Sequence, residues 1–137
     1  MCAAVEFALD DAVPPAFQMI CHCVECRMNN VSASVALVGW MLDNNGFKIV
    51  KGEEHLGKYQ SSEPMARAFC KLCGPPVYNR NTRLSVCDTF PSLMPDFDFE
   101  PALHVYYGEK LRSFPDGLPK YADLPESFGG SGKLLDE

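Results

Sequence analysis

Short stretches of alternating or β-branched apolar residues recur along the chain, at Ala4–Leu9, Phe17–His22, Ser34–Val38, Phe47–Val50, His55–Tyr59, Leu84–Cys87 and Leu103–Tyr107. Successive side chains of a strand face opposite sides, so runs of this length predict strands with one buried face. Turn-forming sequences separate them: "DDAVPP", "DNNG", "GPP", "FPSLMP" and "FPDG". No stretch sustains a helical period, and the 11 prolines work against long helices. The pattern predicts a mostly antiparallel β domain with a short turn of helix after Cys23 or near Ser92. Residues 1–128 are expected to form a single domain. Residues 129–137, "GGSGKLLDE", have little to bury and read as a flexible C-terminal tail.

Composition narrows the function. The chain has 137 residues, 47% hydrophobic and 22% charged, which is ordinary for a soluble globular domain. Its net charge of -6 opposes the phosphate neutralisation on which non-specific nucleic-acid binding depends, so no nucleic-acid partner is expected. The N-terminal stretch has no basic region and carries Glu6, Asp10 and Asp11, unlike a signal peptide. The longest apolar run, around Val31 to Leu42, is too short to cross a bilayer. These features predict a cytoplasmic protein with no membrane partner. In that compartment disulfides are disfavoured, so clustered cysteines point to metal binding or to chemistry.

The chain has seven cysteines, and six of them fall into a pattern. In "CHCVEC", Cys21 and Cys23 share one side of an extended segment while His22 faces the other, and a turn after Cys23 brings Cys26 back toward the pair. Three thiolates around one point suit a tetrahedral ion, zinc above all. In "FCKLCG", Cys70 and Cys73 form a Cys-x-x-Cys knuckle, with Gly74 allowing the tight turn that follows. Two ligands do not complete such a site, and Cys2 on the first strand is the obvious further donor. The residues alone leave two readings open for Cys21, Cys23 and Cys26: a structural site closed by a fourth protein ligand, or a site with one position left for substrate. Cys87 reads as a small buried hydrophobe, and His55 and His104 as structural histidines.

These motifs resemble the glutathione-dependent formaldehyde-activating enzyme (GFA) family, which also includes centromere protein V. The resemblance runs from "CAAVEF" through "CHCVECR", Phe47, Gly52, Leu56, Tyr59, Ser61 and Ser62 to "RAFCKLCG", and more faintly through "LHVYYGEKLRSFPDGLPKY". It implies a zinc-containing β-tent fold of antiparallel sheets with short helical turns, and two Zn2+ sites. By resemblance, Cys21, Cys23 and Cys26 hold a catalytic zinc with an open position, and Cys2, Cys70 and Cys73 belong to a structural zinc. The implied activity is that of a carbon-sulfur lyase acting on a thiol adduct, S-hydroxymethylglutathione or a related small metabolite. The competing function is a non-catalytic, zinc-stabilised interaction module. Glu25 is a candidate acid or base, alongside His22 and His104. Arg27 is a candidate anchor for an anionic substrate such as glutathione, with Arg67, Lys71, Arg80 and Arg83 as more distant ones. The expected partners are a small-molecule thiol or thiol adduct and a second copy of the chain in a homodimer.

Three departures from the family pattern stand out. The pattern opens with Cys-x-Cys-Gly-Ala, whereas here the chain starts one residue before Cys2 and Ala3 replaces the glycine. The site of Cys2, Cys70 and Cys73 is thus expected to be one cysteine short. Val31 stands where a glycine follows the "CR" motif, and Cys87 lies in a segment that usually carries a glycine.

Overall fold

The computed structural model describes residues 2–137 and is mainly β. In chain order its elements begin with β1 (Glu6–Leu9), β2 (Phe17–Cys21), α1 (Val24–Asn30), β3 (Val35–Met41) and β4 (Phe47–Lys51). They continue with β5 (Leu56–Gln60), β6 (Met65–Cys70), β7 (Pro76–Asn81), β8 (Val86–Thr89) and β9 (Leu103–Val105). Two compact units are present, one comprising the chain up to Ala16 with Val38–Leu93, the other Phe17–Leu37 with Met94–Glu137. Among the described residues, no helix is long and apolar enough to cross a membrane.

In the first unit β1 pairs antiparallel with β4, placing Phe7 opposite Ile49 and Leu9 opposite Phe47. Strands β5, β6, β7 and β8 form an antiparallel meander, and β8 pairs with the later part of β3. Its core gathers Leu56, Ala68, Cys70 and Val77, with Val5, Phe7 and Ile49 packed against them. One row of polar side chains crosses this unit. Arg67, Asn79 and Asp88 stand opposite one another on β6, β7 and β8, and all three are buried. Asn79 donates to Asp88 Oδ1 at 2.7 Å, and Arg67 donates to Ser61 Oγ at 3.0 Å. Because buried polar groups need partners, a slip of one residue would strand this row on the wrong face. The row thus fixes the register that delivers Cys70 at the end of β6. Gly52 has φ 76, and a Cβ there would lie 1.8 Å from the Ala4 carbonyl oxygen, which accounts for a glycine between β4 and β5.

In the second unit β2 and β9 run parallel, with Met19 opposite Leu103 and Cys21 opposite Val105. This is a parallel pair in an otherwise mostly antiparallel fold. Parallel neighbours must be far apart in sequence, and here more than eighty residues separate them. Strand β9 stops at Val105 because Tyr106 turns to φ 53, so the expected run to Tyr107 is two residues shorter. The segment anticipated as a flexible tail is hydrogen-bonded: Ala122 N–H donates to the Lys133 carbonyl and Leu135 N–H to the Lys120 carbonyl, both at 2.8 Å. The Glu137 carboxylate accepts from the Tyr107 hydroxyl.

The anticipated helix after Cys23 is α1, and the turn near Ser92 is a single 3-10 turn, Pro91–Leu93. Strands β6 and β7 had no expectation behind them. "MARAFC" lacks β-branched residues and "PVYNRN" opens on proline, a residue tolerated at the first position of a strand. Of the three departures from a glycine pattern, Ala3 at φ 58 and Val31 at φ 48 keep a glycine-like backbone, whereas Cys87 lies within β8. Val31 ends α1 in the left-handed conformation, receiving none of the packing that could compensate, since it is 93% exposed. A left-handed residue with a Cβ costs about 1–2 kcal/mol, and glycine gives back part of that in backbone entropy. Val31→Gly should therefore stabilise the protein by roughly 0.5–1 kcal/mol. An unchanged or lower unfolding midpoint in denaturant would contradict this.

Candidate metal centres

The second unit builds its cysteine cluster on a strand end and a helix start. Cys21 is the last residue of β2, and the His22 N–H continues the ladder by donating to the Val105 carbonyl at 3.0 Å. Cys23 then caps α1, its Sγ accepting from the Cys26 N–H at 3.3 Å. Cys26 thereby returns on the first helical turn, and the three Sγ atoms all lie within 4.8 Å of one another. Cys21 and Cys26 are buried and Cys23 is half-buried. Other groups hold this short loop in place. Arg27 Nε donates to the His22 carbonyl at 2.9 Å, Asn30 Nδ2 to the Cys26 carbonyl at 2.9 Å, and the Val24 N–H to Glu109 Oε2 at 2.7 Å. A helix of 7 residues would not persist alone, so these anchors and the cap are what keep the sulfurs together.

Charge at this cluster is crowded. The Cys21 thiol is pushed well above its ordinary value by hydrogen bonding to Cys23 and Cys26 and by burial. A cation among the sulfurs would remove that conflict, and a set of thiolates suits a soft or borderline divalent ion. Tyr106 is raised by burial and then by the charges of Cys21 and Cys23, so its phenol stays protonated at neutral pH beside the cluster. Its left-handed backbone, φ 53, is the kind of local strain that accompanies functional sites. His22 is fully buried against Tyr107 and Phe114, and burial followed by the nearby positive charges lowers it to about 4.

The first unit carries the other cluster. The Sγ atoms of Cys2, Cys70 and Cys73 also lie within 4.8 Å of one another, with Cys2 and Cys70 at 3.7 Å. The knuckle is closed by the Gly74 N–H donating to the Cys70 carbonyl at 2.8 Å, and Gly74 adopts φ 95, which glycine accommodates without strain. Backbone N–H groups of Cys73 and Leu72 point at the Cys70 sulfur and lower it to about 7, which favours the thiolate a metal needs. A cavity of about 190 Å³ adjoins this cluster, lined by Val5, Phe7, Pro75 and Val77 besides the cysteines.

The remaining expected residues fall in different places. Glu25 lies exposed in the first turn of α1 between Cys23 and Cys26. Arg27 stands beside the cluster with its Nε engaged by the loop backbone. Arg67 is buried in the polar row of the first unit, while Lys71, Arg80 and Arg83 are exposed there. His55 sits near Glu54 at 3.5 Å, and His104 is buried against His22. Tyr106 and Glu109 were not expected at the site from the sequence. Both belong to "YYGEK", and only the parallel pairing of β2 with β9 brings that stretch to the cysteines.

A mainly β protein in which each unit presents three convergent thiols is built to hold metal ions. The chain belongs to the family of glutathione-dependent formaldehyde-activating enzymes, whose model matches residues 1–109. Among solved structures it is similar in fold to a Rhodobacter sphaeroides protein determined by structural genomics. The TM-score is 0.56 at 19% identity, over 71% of this chain and 85% of that one. No curated protein matches it.

Cys87 stands apart from both clusters, buried on β8, and burial followed by the Asp88 charge pushes its thiol up to about 12. It should resist iodoacetamide at pH 8 in the native protein and react once the chain is unfolded. Rapid native labelling of Cys87, read by peptide mass spectrometry, would contradict this placement.

Proposed function

We propose that Cys21, Cys23 and Cys26 hold a zinc ion with one position left for a substrate thiol, and that the protein is a carbon-sulfur lyase of the GFA family. The substrate is S-hydroxymethylglutathione or a closely related thiol adduct. The observation that carries the reading is the convergence of three sulfurs on a helix cap, in a chain that belongs to this family. Zinc bound there would supply a soft centre that holds a substrate sulfur as its thiolate. The Cys2, Cys70 and Cys73 cluster would hold a second, structural zinc.

The chemistry asks for more than a metal. Addition of a thiol to formaldehyde forms one C–S bond, and the proton lost from sulfur ends on the former carbonyl oxygen; the lyase direction reverses both changes. A donor is needed near that oxygen and an acceptor near sulfur. Tyr106, protonated beside the cluster, is suited to be the donor. Glu25, on the first helical turn between two ligands, is the candidate acceptor. Arg27 lies one residue after Cys26 and is the candidate anchor for a substrate carboxylate. A cytoplasmic location fits this reading, because the glutathione pool there keeps thiols reduced.

The test is turnover with glutathione and formaldehyde, followed by formation of S-hydroxymethylglutathione. Cys26→Ser should abolish it while the fold persists. Tyr106→Phe should lower kcat by about 10²-fold with metal content unchanged. Full activity in Cys26→Ser would sink the mechanism, and full activity in Tyr106→Phe would remove the phenol from it.

A further inference from the structure

Beneath the Cys21, Cys23 and Cys26 cluster runs a chain of buried polar groups that the proposed function does not use. His22 Nε2 lies 2.8 Å from His104 Nδ1, and His104 Nε2 lies 2.8 Å from Asp116 Oδ2. The other carboxylate oxygen, Asp116 Oδ1, accepts from Lys120 Nζ at 2.9 Å. His22 and His104 are both fully buried, and Lys120 is nearly so. Asp116 and Lys120 lie beyond residue 109, where the family model ends.

This chain has a direction. An ionised carboxylate only accepts hydrogen bonds, so the proton between Asp116 and His104 belongs to His104 Nε2. In a neutral imidazole the second nitrogen is an acceptor, hence His104 Nδ1 accepts and His22 Nε2 donates. That leaves His22 Nδ1 as a bare lone pair, and it is indeed a buried atom with no hydrogen-bond partner. Leaving such an atom unsatisfied is unfavourable, so the ring is held in this orientation by the bond on its other side. The same residue is fixed at its N–H by Val105 and at its carbonyl by Arg27. With backbone and side chain both held, Cys21 and Cys23, its two neighbours, have their directions set.

We propose that Asp116, acting through His104 and His22, is a positioning residue for the Cys21, Cys23 and Cys26 metal centre. The inference rests on the metal-binding part of the proposed function and not on the identity of the substrate. Residues that orient a metal site from behind its ligands typically contribute 10–100-fold to metal affinity. An effect at the lower end is expected here, because His22 is a neighbour of the ligands and not one of them.

The experiment is cobalt titration of the full-length, metal-free protein, following the thiolate-to-cobalt charge-transfer bands. In Asp116→Asn, one of the two cobalt equivalents should bind about tenfold more weakly with shifted bands, and the other should be unchanged. Asp116→Glu should recover part of the affinity. A merely structural role would lower the unfolding temperature and leave the bands of the folded protein alone, so unchanged bands and affinity would overturn the inference by itself. Absence of charge-transfer bands in the wild type would overturn the metal reading and this inference with it. Should Asp116→Asn fail to fold, nitrogen-15 NMR of the wild-type histidines decides. His22 with its proton on Nε2 and Nδ1 bare supports the proposal, and the opposite tautomer overturns it.

Discussion

Three thiols held within 4.8 Å of one another cannot all ionise without a counter-charge. At that spacing two like charges repel by about 3.5 kcal/mol for each pair in a moderately polar protein environment. A fold that nevertheless brings three such groups together, twice, is under a constraint that a divalent cation resolves. Much of the local architecture follows from it. A strand end, a cysteine helix cap and a loop fixed at His22 serve one cluster. A register-locking polar row and a glycine-closed knuckle serve the other.

The surroundings divide the work differently in the two units. Around Cys70 the backbone N–H groups favour the thiolate directly, and the neighbouring core of Leu56, Ala68 and Val77 is apolar. Around Cys21 the neighbourhood is chemically richer, with a protonated phenol at Tyr106, a carboxylate at Glu109 on the helix start, and a buried imidazole pair behind the loop. Functional sites accumulate such titratable groups, whereas sites that only brace a fold do not need them. This asymmetry is the physical basis for proposing catalysis at Cys21, Cys23 and Cys26 and not at the other cluster.

Five of the six clustered cysteines were legible in the sequence because Cys-x-Cys-x-x-Cys and Cys-x-x-Cys place near neighbours together, whereas Cys2 lies 68 residues from Cys70 and entered only as the further donor its site required. Alternation also placed His22 on the side away from its flanking cysteines, where it is found buried. What pattern reading could not reach depends on distant pairing. His104 and Asp116 join His22 only because β9 adds in parallel to β2, and neither carries a local signal. The substitutions at Ala3 and Val31 were visible as departures from a glycine pattern. Their consequence was not: the backbone keeps the left-handed turn and carries the strain.

The central claim is that both clusters are occupied metal centres, and zinc per chain measures it most directly. Protein purified without chelators or a metal-binding tag should contain two equivalents by elemental analysis, each lost on unfolding in the presence of a chelator. A chain that folds to the same stability with no bound metal would contradict the account, leaving six neighbouring thiols without a physical reason to converge.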